Sequence, residues 1–134
     1  MIRIFFIAFC LLAATTQAQT DTTYTPPEPI GGIERLALVF YTIEFTPDQR
    51  QLLVDRPLEF FFYVSDEGKA RLESTNGIRN PAIIDSLMSA GEDLPPFTPA
   101  TRGGVPAQSL YMMELTFPNY QSNSNIVYTT YTQR

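Results

Sequence analysis

Alternation of apolar and polar positions is clearest in the middle of the chain. LEFFFYV, residues 58–64, puts Leu58, Phe60, Phe62 and Val64 on one side of an extended segment and Glu59, Phe61 and Tyr63 on the other. Ser65-Asp66-Glu67-Gly68 makes a turn, with Gly68 free to take a positive φ. KARLEST then returns with Ala70 and Leu72 inward and Lys69, Arg71 and Glu73 outward. Together these residues predict a β-hairpin. A third strand is predicted at SLYMMELTF, residues 109–117, with Tyr111, Met113, Leu115 and Phe117 on the core face. The tail, residues 119–134, begins polar, and its IVYTTYT can add a short edge strand.

Helical spacing occupies the stretches between. After Gly31-Gly32, Ile33, Leu36, Ala37, Phe40 and Tyr41 recur with a helical period. The β-branched and aromatic content of LVFYTIEF also suits a strand, and helix is the preferred reading. Thr46-Pro47-Asp48-Gln49 has capping-box spacing with a first-turn proline, predicting a short helix from Pro47 to about Val54. A further helix is capped by Asn80 and started by Pro81, with Ile84, Leu87 and Met88 as its apolar stripe and Gly91 as its end. These elements predict an α+β fold: a small antiparallel sheet of about three strands with two main helices on one face. Phe61 and Tyr63 then lie on the opposite face, either as a binding surface or packed under IVYTTYT. Packing is the preferred reading.

The first residues change the picture. Met1-Ile2-Arg3 carries one positive charge, residues 4–14 are uncharged and mostly apolar, and Thr15-Thr16-Gln17-Ala18-Gln19 is more polar. This is the pattern of a signal peptide, residues 1–18, cleaved after Ala18. The apolar run is about half the ~20 residues of a membrane-anchoring helix. Cys10 invites lipidation, but the bulky Phe9 precedes it and the apolar run continues beyond it. Residues 19–31, QTDTTYTPPEPIG, read as a short semi-extended leader to a domain spanning 32–118.

Cleavage leaves 134 − 18 = 116 residues without cysteine, and the chain has no histidine. No disulfide supports the expected mature domain, and the usual zinc, iron and copper sites lack their ligands. Ser-His and Cys-His nucleophile pairs are excluded as well. The net charge of −5 and the scattered cations disfavour nucleic acid as a partner. Asp66-Glu67 and Glu92-Asp93 are turn or loop charges, and so small a sheet offers no deep cleft for paired carboxylates. Neither an enzyme nor a cofactor is expected.

The stretch before the third strand is crowded with prolines and glycines: DLPPFTPATRGGVPAQ, residues 93–108. With it, the order of signals resembles the C-terminal domain of TonB-type energy transducers over residues 31–117. Thr46-Pro47 stands where that family starts a short helix with Tyr-Pro, and Asp66-Glu67-Gly68 matches its Asp-x-Gly turn. Ile84-Asp85 takes the place of its Leu-Asp pair. Phe97-Thr98-Pro99-Ala100 and Gly104-Val105-Pro106-Ala107 match its Phe-x-Pro-Ala and Gly-x-Pro-Val strings, and Thr116-Phe117 its apolar-Phe ending. Pro57 replaces the glycine that opens the family's first strand, and Thr46 replaces the tyrosine.

The resemblance implies a periplasmic, non-enzymatic binding domain that pairs an extended segment of an outer-membrane receptor or envelope protein with a sheet edge, as in TonB-dependent transport. The third strand is the expected edge. The partner-binding residues would be Ser109, Leu110, Tyr111, Met112, Met113, Glu114, Leu115, Thr116 and Phe117. Pro95, Pro96, Pro99 and Pro106 would hold its approach extended, with Gly103 and Gly104 allowing the turn onto the sheet. Family members also span the inner membrane and carry a long proline-rich rod. Here a leader of thirteen residues would reach only about 40 Å. The alternative is a structural accessory subunit of an envelope complex with no energy-transducing role. No membrane span is expected after cleavage, and a homodimer through sheet edges stays open. Periplasm ranks ahead of full secretion as the location.

Overall fold

The computed structural model describes residues 23–118 in full and the backbone of residues 128–133. The signal-peptide expectation for residues 1–18, the leader residues 19–22, the polar tail 119–127 and Arg134 lie outside the described residues. In chain order the elements are β1 (Tyr24–Thr25), β2 (Glu28–Pro29), α1 (Gly32–Tyr41) and α2 (Pro47–Leu53). The hairpin β3 (Pro57–Val64) and β4 (Ala70–Asn76) follows, then α3 (Pro81–Ala90). Three short strands, β5 (Phe97–Thr98), β6 (Ala100–Arg102) and β7 (Val105–Ala107), lead to β8 (Ser109–Thr116) and β9 (Tyr128–Gln133). The fold is α+β.

Local chemistry sets the helix starts. The Thr46 hydroxyl accepts from the Gln49 N–H at 3.3 Å, and the Thr46 N–H donates to Gln49 Oε1 at 3.0 Å. This is a complete capping box, with Pro47 in the first turn. Asn80 Oδ1 accepts from the Ile83 N–H at 3.1 Å, again ahead of a proline. Helix α1 has no side-chain cap and begins from Gly31 at φ 91°. Burial of Leu36, Ala37 and Phe40 along one face settles this segment as a helix.

The main sheet is antiparallel throughout, in the order β4-β3-β8-β9. Its inner face buries Leu58, Phe60, Phe62 and Val64 from β3 with Tyr111, Met113 and Leu115 from β8. Helices α1 and α3 cover that face. The Phe40 ring lies 4.6 Å from Phe60 and 6.1 Å from Phe62, centroid to centroid. In α3 the fully buried pair is Ile83 and Leu87, while Ile84 and Met88 only flank the core. The buried stripe is rotated from the predicted one by a residue: Ile83 and Leu87, four apart on one helix face, point to the core, and Ile84 and Met88 lie at its margin.

Residues 24–29 are part of the domain, not a leader in front of it. β1 pairs with β6 (Tyr24 with Arg102, Thr25 with Thr101), and β2 pairs with β5 (Glu28 with Thr98, Pro29 with Phe97). Pro27 between them is fully buried. The Ile30 N–H donates to the Pro96 carbonyl at 2.9 Å, and the Gly103 N–H to the Thr23 carbonyl at 2.8 Å. Low hydrophobic content predicts a linker, but backbone pairing with another proline-rich segment does not need apolar side chains.

Candidate functional site

A sheet can receive a partner at either edge or on an uncovered face. The β4 edge is closed in three ways. A register shift opposite Phe61 and Phe62 leaves Glu73 as an extra residue, a bulge that bends the strand. Arg71 and Glu73 form an exposed ion pair along it at 3.1 Å. The Leu72 N–H is already donated to the Gly91 carbonyl at the end of α3, at 3.0 Å. Bulges and charges of this kind discourage strand addition.

The other side corrects the sequence-based expectation. β8 is not an edge. It pairs with β3 from Pro57–Thr116 to Val64–Ser109, and on its other side β9 pairs from Leu110–Gln133 to Leu115–Tyr128. The tail strand that the sequence allowed therefore forms, and it occupies the backbone row proposed for a partner. Of the nine residues assigned to that role, Tyr111, Met113, Leu115 and Phe117 are buried on the core face. Leu110, Met112, Glu114 and Thr116 face away from the core, and Ser109 begins the strand opposite Val64. The last strand of the sheet is β9, and no strand pairs with its far side among the described residues.

β9 also lies beside β8 instead of across the sheet, so it does not pack over Phe61 and Tyr63. Their face has three cross-strand rows. Ser74, Phe61 and Met112 stand in register in the middle, with Tyr131 at the same register position on β9. Toward the hairpin turn lie Arg71, Tyr63 and Leu110; Leu110 is 44 % exposed. The Arg71 guanidinium sits 4.7 Å from the centre of the Tyr63 ring, and the Tyr63 hydroxyl donates to Gln108 Oε1 at 2.7 Å. Toward the other end lie Asn76, Glu59 and Glu114. Glu59 and Glu114 are direct cross-strand partners, and Asn76 Nδ2 donates to Glu59 Oε2 at 3.4 Å. Sequence reading missed this carboxylate pair because alternation gives the face of each residue but not the register between strands.

The proline-rich approach is locked by its neighbours. Phe97 is buried with its ring 5.1 Å from Tyr111, edge to face, and its N–H donates to the Gly68 carbonyl at 2.8 Å. Gly103 and Gly104, at φ 57° and 77°, form the two-residue turn between β6 and β7. Positive φ at both positions matches a turn that suits strand twist. The string thus delivers the chain to Ser109 by joining the hairpin turn to β1 and β2. At the opposite end of β8, a cavity of about 170 Å³ lies between the α1–α2 loop, α2 and Phe117, lined by Tyr41, Phe45, Arg50, Leu53 and Pro118 among others. The Tyr41 hydroxyl beside it donates to the Thr116 carbonyl at 2.9 Å. Comparison with protein-family models, with curated proteins and with solved structures finds no match for this chain.

Proposed function

We propose that this chain is a non-enzymatic binding domain of the bacterial-type periplasm that takes an extended segment of an outer-membrane receptor or envelope protein by strand pairing, and that the segment enters on the β8–β9 side. One observation carries this reading: the two edges of the sheet are unequal. The β4 edge is bulged, charged and hydrogen-bonded to the end of α3, while the far side of β9 has no strand beside it among the described residues. Main-chain pairing supplies affinity in such recognition, and alternate side chains supply selectivity. The accepting row moves outward by one strand from the sequence-based expectation. A partner either adds to β9 or takes its place on β8.

A reversible disulfide separates these routes. Glu114 and Thr129 are register partners across β8 and β9, and the expected mature chain has no cysteine of its own. Glu114→Cys with Thr129→Cys would tie the strands together when oxidised. Receptor segments that face the periplasm are titrated into the oxidised and reduced protein, following amide resonances. Binding only after reduction means β9 is displaced. Equal binding in both forms, with shifts on β9, means addition to its outer side. If no segment shifts either strand in either form or in the unmodified protein, the peptide-binding proposal falls.

The accessory-subunit reading keeps one specific support. Phe61, Tyr63, Leu110 and Met112 line a face that no helix covers among the described residues, and such a face suits docking in a larger assembly.

A further inference from the structure

We propose that two copies of this chain stack through the sheet face that no helix covers among the described residues, related by a two-fold axis that crosses the strands at the Phe61–Met112 row. The three rows on that face make it self-complementary. Ser74, Phe61 and Met112 hold the middle, Arg71, Tyr63 and Leu110 one side, and Asn76, Glu59 and Glu114 the other. A two-fold axis along the middle row places apolar residues against their own copies. The same operation keeps each residue at its own strand position, so Tyr63 comes over Glu59 of the other copy and Arg71 over Asn76, one strand from that Glu59, while Leu110 comes over Glu114. An isologous interface requires this reciprocity, since each contact occurs twice.

Charge favours a second copy over an unrelated apolar partner. Glu59 and Glu114 are like charges directly opposite one another, an unfavourable cross-strand pair. Their nearest described relief is one long hydrogen bond, from Asn76 to Glu59. A second copy brings Arg71, whose present ion pair with Glu73 is exposed and therefore weak. Sheets that stack in this way lie about 10 Å apart with nearly aligned strands, which lets an arginine reach the neighbouring strand position opposite it.

Area sets the strength. Four strands spaced ~4.8 Å apart, along about six paired residues each, cover roughly 400 Å² per copy. A stable interface buries about 800 Å² per partner, so this dimer is weak and depends on concentration. The pairing leaves the outer side of β9 uncovered in both copies, so it is independent of the strand-addition reading.

Sedimentation equilibrium of the mature chain, residues 19–134, from micromolar concentration to about 1 mM tests the idea in the range where an interface of this size associates. The expected result is a reversible monomer–dimer equilibrium. Arg71→Glu and Glu59→Arg should each weaken it on the order of tenfold, and the double variant should restore it to within a few-fold. Phe61→Gln, on the axis, should weaken it by more than tenfold. Circular dichroism melts identify any variant that fails to fold, and Glu114→Arg in the same row then replaces Glu59→Arg. A chain that stays monomeric throughout overturns the proposal. So does a dimer that ignores the single reversals, or one that the double reversal fails to restore, because either would be held by another surface such as the β9 edge or by an unrelated contact.

Discussion

Gly68 and Phe97 meet backbone to backbone: the Phe97 N–H donates to the Gly68 carbonyl at 2.8 Å, and a Cβ on Gly68 would collide with the Phe97 carbonyl oxygen. One contact thus ties the β3–β4 turn to the segment that leads into β8. Gly68 also sits at φ 83°, where a side chain is strained whatever the space around it. Gly68→Ala is therefore expected to cost about 2–4 kcal/mol, combining the conformational penalty with a backbone shift. Urea denaturation measures it. A loss below about 1 kcal/mol would show that the turn can move away from Phe97 at little cost.

Phe97 is expected to be the most sensitive side chain of the approach. It is buried, and its ring stands edge to face on Tyr111. Phe97→Ala should cost about 3–5 kcal/mol by cavity formation. Hydrogen exchange adds a second readout: the Ile30 amide, bonded to the neighbouring Pro96 carbonyl, should lose protection together with the amides of β2. Unchanged protection there would separate the N-terminal strands from the packing of Phe97.

Much of this fold can be read from the chain because its signals are local. LEFFFYV, the Thr46–Gln49 box and the Asn80-Pro81 start each contain their own cause, and each forms where the pattern places it. What the sequence hides is pairing between distant segments. Tyr24–Thr25 and Glu28–Pro29 carry no strand alternation, and only the approach residues they pair with make them strands. The β8 edge fails for the same reason. IVYTTYT shows that a strand can form, but not that it lies beside Leu110 to Leu115 instead of over Phe61. The Glu59–Glu114 pair also needs register, which two alternating patterns leave undetermined.

The capping box should contribute its usual amount. Thr46→Ala removes the acceptor for the Gln49 N–H and is expected to cost about 1 kcal/mol. Gln49→Ala leaves the Thr46 N–H without its side-chain acceptor, a smaller loss at an exposed site. A double-mutant cycle by thermal or urea melting should show coupling between the two residues, because each holds the backbone of the other.

Neutralising one carboxylate on the open face should raise stability. Glu114→Gln removes like-charge repulsion from Glu59 while keeping the shape of the side chain. The expected gain in the monomer is about 0.5 kcal/mol, and it should shrink as salt screens the pair. The comparison belongs at micromolar concentration. A gain that does not change with salt would point to strand propensity instead of charge.

Removing the N-terminal strands distinguishes a leader from a structural part of the domain. If residues 19–31 were a tether, a chain beginning at Gly32 would unfold with the same midpoint as one beginning at Gln19. The observed pairing predicts otherwise. Deletion takes away the partners of Thr98, Phe97, Arg102 and Thr101 and exposes the surface that buries Pro27. It also removes the acceptor of the Gly103 N–H and the donor to the Pro96 carbonyl. Each lost hydrogen bond counts for about 1 kcal/mol, so the sum should be several kcal/mol even after the entropy of the freed residues is subtracted. The loss should be accompanied by faster exchange in β5 and β6, while the β3–β4 hairpin keeps its protection relative to the lowered global stability. Equal midpoints for the two chains would return residues 24–29 to the status of a tether.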